Sequence, residues 1–152
     1  MVDVASSGVG ADWIGSIVRY YDDTWFDYSS LWARRSDPAF HYGYYDENCR
    51  HHRQAIANTN ATLARFARIG RGDRVLDAGC GRGGSCFWLA REIGASPVGI
   101  NLVPSQLDYA KREAERRGLE KHIELQRADY TRTPFDSESF DVVWALESVC
   151  HC

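Results

Sequence analysis

One short stretch constrains this chain more than any other: Val75-Leu-Asp-Ala-Gly-Cys-Gly-Arg-Gly-Gly84. The apolar run Arg74–Ala78, bounded by glycines, reads as a buried strand. The glycines that follow it lead directly into a helical pattern over 83–93. A strand that turns into a helix through glycines opens an α/β sheet. Glycine tolerates positive φ and lets a ligand approach the backbone closely. Open α/β sheets bind ligands at the carboxyl ends of their strands. Gly79, Gly81 and Gly84 also satisfy G-x-G-x-x-G, the dinucleotide pattern. Asp77 argues against a pyrophosphate here, because a carboxylate two residues before the first glycine repels phosphate and attracts an ammonium or sulfonium. The plainer reading of the same residues is a tight turn, with Asp77 satisfied by backbone N–H groups.

From this turn onward the chain alternates. Strands are expected at Pro97–Asn101, His122–Gln126 and Phe140–Leu146, and a helix over 104–117 with Leu107, Ala110/Lys111, Ala114 and Gly118 along one stripe. Pro104 sits in that helix's first turn, where its missing N–H costs nothing. Upstream, residues 50–68 read as a helix with Ile56, Thr59/Asn60, Leu63, Phe66 and Ala67 on one stripe. Asp46 or Asn48 can cap its start and Gly70 can stop it. Strand and helix in alternation predict a doubly wound parallel sheet of Rossmann-like type with helices on both faces. Residues 1–10 are small and polar, as a disordered tail would be. Residues 11–48 hold more than half of the chain's aromatics, among them Trp13, Tyr20, Tyr21, Trp32 and Tyr42. They read as a helical cap on the core, or as an aromatic lid over a ligand. Residues 49–152 form the α/β domain.

Composition excludes several classes. The chain has 152 residues and a formal net charge of −3, with no long Lys/Arg run, so it has no footprint for nucleic acid. No stretch approaches the ~20 consecutive apolar residues of a membrane span. The N-terminus has neither a basic flank nor an apolar segment typical of a secretory signal. A cytoplasmic location is therefore expected. Five cysteines, odd in number and irregularly spaced, read as free thiols there. Cys150-His-Cys152 and Cys49-Arg-His-His52 lack the C-x2-C spacing of a metal site, and no metal is expected.

Val75–Gly83 resembles the first motif of class I S-adenosylmethionine-dependent methyltransferases. Two further blocks match in order: Val98–Leu107, as second strand and following helix, and Ala128–Phe135 with Ser139–Val143, as adenine loop and fourth strand. Ala145-Leu-Glu-Ser-Val-Cys-His151 resembles the E-[AS]-x-x-H segment of small-molecule members such as the sterol and tocopherol C-methyltransferases. Tyr20–Trp25, Leu31-Trp32 and His41–Asp46 look like the lid of the same group. The resemblance covers roughly residues 40–152. It implies a seven-stranded sheet, of which this chain reaches the fourth strand.

The resemblance also implies a cofactor, S-adenosyl-L-methionine, and a set of residues to hold it: Tyr21, Asp77, Gly79, Cys80, Gly81, Asn101, Leu102, Gln106, Asp129, Tyr130 and Ala145. Asp77 would orient the methionyl part, Asn101 would meet the ribose where the family often has an acid, and Gln106 would face the ribose end. Leu102 would pack on the adenine, with Asp129 accepting from its amine and the Tyr130 backbone alongside. Tyr21 would lie near the sulfonium and the His41–Tyr45 segment near the substrate mouth. The acceptor would be a small molecule of natural-product or lipid-like type. If it is a hydroxyl, His151 is the candidate base with Glu147 orienting it; if an alkene carbon, Glu147 and the aromatics would stabilise the cation and His151 would take the proton. An unpaired edge on the fourth strand implies a homodimer through it. Two other readings stay open: a nicotinamide-dependent oxidoreductase, and a module that binds a cofactor without turning it over.

Overall fold

A computed structural model describes residues 9–24, 39, 41–47 and 49–149, with the side chains of 9–12 left aside. Two helices precede the sheet, α1 (Val9–Asp23) and α2 (His52–Phe66). Then follow β1 (Arg74–Ala78), α3 (Gly84–Trp88), β2 (Ser96–Asn101), α4 (Pro104–Arg117), β3 (Glu124–Arg127) and β4 (Val142–Trp144). The four strands form one sheet in the order β3-β2-β1-β4. All three pairings are parallel, with Leu76 between Val98 and Val143. The order reverses between β1 and β4, which makes the carboxyl ends of these two strands a switch point where a crevice opens.

Two apolar clusters hold the layers. Cys86, Phe87, Leu107, Ala110, Ala114 and Ile123 pack together, joining α3, α4 and the approach to β3. Ala64, Ile69, Val75, Leu89, Ala95 and Trp144 join α2 to β1 and β4. Phe87, Leu89 and Leu107 are fully buried or nearly so, each worth about 1.5–3 kcal/mol of burial.

Several local expectations are corrected. The α2 stripe is rotated: Ala55, Ile56, Asn60 and Ala64 are buried, whereas Leu63 is exposed and Phe66 is 76% exposed. Its start is not capped by Asp46, whose carboxylate accepts from Asn58 Nδ2 at 3.0 Å. The Gln54 side chain instead accepts from the Arg50 and His51 amides. Asn48 lies outside the described residues. The helix ends before Gly70, with Arg68 in the left-handed region at φ 56° and Ile69 N–H donating to Ala64 O. The expected 83–93 helix splits into α3 and a wider π turn, Leu89–Ile93, closed by Gly94. β4 is shorter than Phe140–Leu146: the Phe140 ring stacks edge-on against Phe135, and the Arg74 guanidinium lies over it. β3 is shifted, running over Glu124–Arg127. α1 begins at Val9, two residues inside the expected tail.

Candidate functional site

The glycine turn is shaped by what lies behind it. The amides of Gly79 and Cys80 both donate to Ile100 O at 2.9 Å, which binds the turn to the end of β2. Gly79 has φ 89°, and a Cβ there would lie 2.4 Å from the Ser148 Cβ. Only glycine fits both the conformation and the space. The opposing wall is the loop after β4, where Ser148 Oγ donates to Ala78 O and Ser148 O accepts from the Tyr130 hydroxyl. Glu147 precedes it at φ 55°, an uncommon conformation for a non-glycine residue and a frequent companion of functional sites.

A cavity of about 730 Å³ opens at the carboxyl ends of the strands. It is lined by the glycine turn, by Asn101, Leu102 and Gln106 beyond β2, by Asp129 and Tyr130 beyond β3, by Leu146–Ser148 beyond β4, and by α1. From α1 come Ile17, which is buried, and Tyr20 and Tyr21, whose rings meet edge to face at 5.2 Å. Ser105 Oγ donates to Asp22 at 2.7 Å and ties α1 to the start of α4.

Asp77 is the electrostatic feature of this cavity. It is 3% exposed, and its carboxylate accepts from the Cys86 thiol at 3.2 Å. It takes no bond from the amides of Gly79 and Cys80, which are spent on Ile100, or from that of Gly83, which donates to Cys80 O, so the plain tight-turn reading of Asp77 does not describe the site. Burial pushes its pKa up from 3.8 to about 7, with the Cys86 bond opposing. The hydrogen bond with the Cys80 thiol, then burial and the Asp77 charge, hold the Cys86 thiol well above its ordinary value. A buried carboxylate in a cavity wall is stabilised by a cation.

The other predicted residues are partly engaged. Asn101 Oδ1 accepts from the Leu102 amide at 2.8 Å, and its Nδ2 donates to Gln106 Oε1 at 2.7 Å. Facing a backbone N–H on one side, the Asn101 amide has one consistent orientation. Asp129 Oδ1 accepts from the amide and hydroxyl of Thr131, while its Oδ2 takes no part in that turn. Glu147 Oε1 accepts from the Tyr42 amide at 2.9 Å. Thus Tyr21, Asp77, Gly79, Cys80, Gly81, Asn101, Leu102, Gln106, Asp129, Tyr130 and Glu147 all line one cavity. Ala145 does not: it is exposed, and Leu146 takes the wall position beside it. His151 lies outside the described residues, as do Trp25, Phe26, Tyr28, Trp32 and Phe40 of the aromatic segment.

A methyltransferase-domain model matches residues 75–152. The chain belongs to that methyltransferase family. Methyltransferase GfsG of Streptomyces halstedii is 36% identical over 113 residues, covering 73% of this chain and 41% of that protein. The chloroplastic tocopherol O-methyltransferase of Arabidopsis thaliana is 32% identical over 147 residues, covering 89% and 41%. The chain thus spans about two fifths of the length of these curated relatives. Among solved structures, the cyclase SpnF superposes with a TM-score of 0.75 at 27% identity, over 85% of this chain and 47% of that one. The Rossmann-like reading of the sheet holds. Among the described residues of this methyltransferase domain, no helix is long and apolar enough to cross a membrane, and no group of three or more His, Cys, Asp or Glu side chains could hold a metal ion.

Sequence reading missed Arg82, Ser85 and Ser148 as lining residues, whereas His41, in the segment expected near the substrate mouth, does line the cavity. Arg82 is 5% exposed, with its guanidinium 3.6 Å from the centre of the Tyr109 ring. Its position inside the glycine motif was the available signal.

Proposed function

We propose that this chain carries the S-adenosylmethionine site of a methyltransferase acting on a small-molecule acceptor. The observation that carries this reading is Asp77: a carboxylate buried in a cavity wall, beside a turn with no room for a Cβ at Gly79. A ligand with an ammonium group supplies the counter-charge that Asp77 lacks. A dinucleotide brings pyrophosphate to the same place and worsens the charge, which disfavours the oxidoreductase reading. Asp77 and the turn from Gly79 through Gly81 would hold the methionyl end, with Asn101 and Gln106 at the ribose. Leu102, Asp129 and Tyr130 would hold the adenine. Tyr20 and Tyr21 present aromatic faces suited to a sulfonium.

When bound, S-adenosylmethionine supplies an already activated methyl group. The chain's own share is then positioning and exclusion of water, and orientation alone can account for about 7–11 kcal/mol of such a barrier. The relatives named above support a natural-product or lipid-like acceptor. Isothermal titration tests the reading: S-adenosylhomocysteine binds, NAD does not, and the reverse order overturns it.

The likeness to a cyclase favours one second reading, in which the frame binds its ligand without methyl transfer. A methyl-transfer assay run beside the titration separates the two. We also propose that the outer edge of β4, which pairs with no further strand among the described residues, pairs with a second copy of the chain; light scattering that reports a monomer at high concentration rules this out.

A further inference from the structure

Four side chains lining the cavity can take a proton: His41, Asp77, Asp129 and Glu147. Three of them already accept a hydrogen bond, Asp77 from Cys86, Asp129 from Thr131 and Glu147 from the Tyr42 amide. His41 differs. The residue is 7% exposed, and its Nε2 is buried with no hydrogen-bond partner among the described residues. Its Nδ1 lies 3.0 Å from Tyr42 O. A carbonyl only accepts, so this contact is a hydrogen bond when Nδ1 carries the proton, and in the neutral ring Nε2 then holds the lone pair.

The segment around His41 is held firmly. Thr59 Oγ1 donates to Tyr42 O at 2.9 Å, and the Tyr44 amide donates to Ala55 O at 3.0 Å. A Cβ on Gly43 would lie 2.6 Å from the Ala55 Cβ, so the segment rests directly on α2. Glu147 grips it from the opposite wall. The structure therefore fixes an imidazole against the cavity with one nitrogen satisfied and the other lacking a donor.

We propose that His41 is the catalytic base, and that the acceptor presents a hydroxyl to it. This rests on the methyltransferase reading above. The acceptor O–H bond breaks and its proton passes to Nε2. The oxygen lone pair forms the new C–O bond to the methyl carbon. The C–S bonding pair stays on sulfur, which leaves a neutral thioether, and the imidazolium returns its proton to solvent. Glu147 is a positioning residue, since it acts through the Tyr42 amide.

The test uses the whole chain labelled with 15N-histidine and saturated with S-adenosylhomocysteine, with 2-naphthol as the hydroxyl probe and naphthalene as its control. Titration of S-adenosylhomocysteine comes first, and failure to bind overturns the cofactor reading rather than this one. With it bound, long-range 1H–15N spectra should show His41 Nε2 without a proton. 2-Naphthol should shift that resonance toward the hydrogen-bonded range, and naphthalene should not. His41→Phe should weaken 2-naphthol binding about fivefold to tenfold, the scale of one hydrogen bond, with S-adenosylhomocysteine affinity kept. A proton on Nε2, a resonance unmoved by 2-naphthol, or equal shifts from both probes overturns the assignment.

Discussion

The two walls of the cavity are built differently. The sheet wall is made by backbone: the turn amides on Ile100, a glycine pressed against Ser148, and residues that follow three parallel strands at the same end. The facing wall, α1 and the segment at 41–45, is made by side chains reaching across the chain. Thr59 holds Tyr42, Asn58 holds Tyr44 O, and Ser105 holds Asp22. The sheet wall tolerates few changes because its geometry depends on conformations open to glycine alone. The facing wall can change residue by residue while the sheet stays intact.

The largest effect is expected where the sheet wall is tightest. Gly79→Val places a branched side chain at φ 89° and into Ser148. Left-handed strain of about 1–2 kcal/mol adds to overpacking of about 1–3 kcal/mol. Chemical denaturation should show a loss near the sum, and calorimetry no binding of S-adenosylhomocysteine. A variant that binds normally would show that the turn is not a close-approach site.

Asp77 comes next. Its folded pKa, about 7, stands above the ordinary 3.8. Between these values the folded chain holds a proton that the unfolded chain has released. The stability Asp77 contributes without ligand is therefore present below about pH 4 and lost as pH rises to about 7. A ligand bearing an ammonium selects the ionised form, so affinity for S-adenosylhomocysteine should rise with pH and level off above 7. Asp77→Asn should flatten both profiles and weaken binding by about 1.5–3 kcal/mol, the range for a hydrogen bond to a charged group. Affinity that is flat with pH in the unmodified protein would remove Asp77 from the ligand's cationic end.

The same contrast explains what could be read from sequence. Strand β1 is a short apolar run flanked by glycines and β2 a similar run ending at Asn101, and burial on both faces leaves such runs no alternative. Asp77 and Asn101 follow from them, because each stands at a strand's carboxyl end, and Asp129 follows β3 in the same way. His41 could not be read in this way. Its importance comes from contacts with Thr59 and Ala55 through its neighbours and from Glu147, which lies 105 residues from Tyr42. No local periodicity encodes such pairings. The α2 stripe was misread because Leu63 and Phe66 suggested an apolar face, whereas small residues, Ala55, Asn60 and Ala64, are what the close approach of the sheet admits.

A weaker change should separate the walls. Thr59→Val removes the hydroxyl that holds Tyr42 O and keeps the side-chain shape. The hydroxyl also accepts from the Tyr44 amide at 2.8 Å, so the loss should be about 1–3 kcal/mol, two neutral hydrogen bonds. Calorimetry should leave S-adenosylhomocysteine affinity unchanged, while 2-naphthol affinity falls as His41 loses its support. Equal losses for both ligands would mean that the two walls are one mechanical unit.

The smallest effect is expected at Phe66, and it tests the outer face of α2. The ring is 76% exposed, and its recorded contact is with the Arg65 guanidinium at 5.9 Å from the ring centre. An aromatic on a helical stripe would ordinarily lose about 3–5 kcal/mol on truncation in a core. An exposed one falls within about 0.5 kcal/mol of neutral, because removing it opens no cavity and alanine is the better helix former. Phe66→Ala should therefore leave the denaturation midpoint nearly unchanged, and both ligand affinities with it. A loss above about 2 kcal/mol would mean that Phe66 is covered in solution, either by residues outside those described or by a second copy of the chain. Repeating the measurement over a range of protein concentrations separates these two covers, since only association makes the loss depend on concentration.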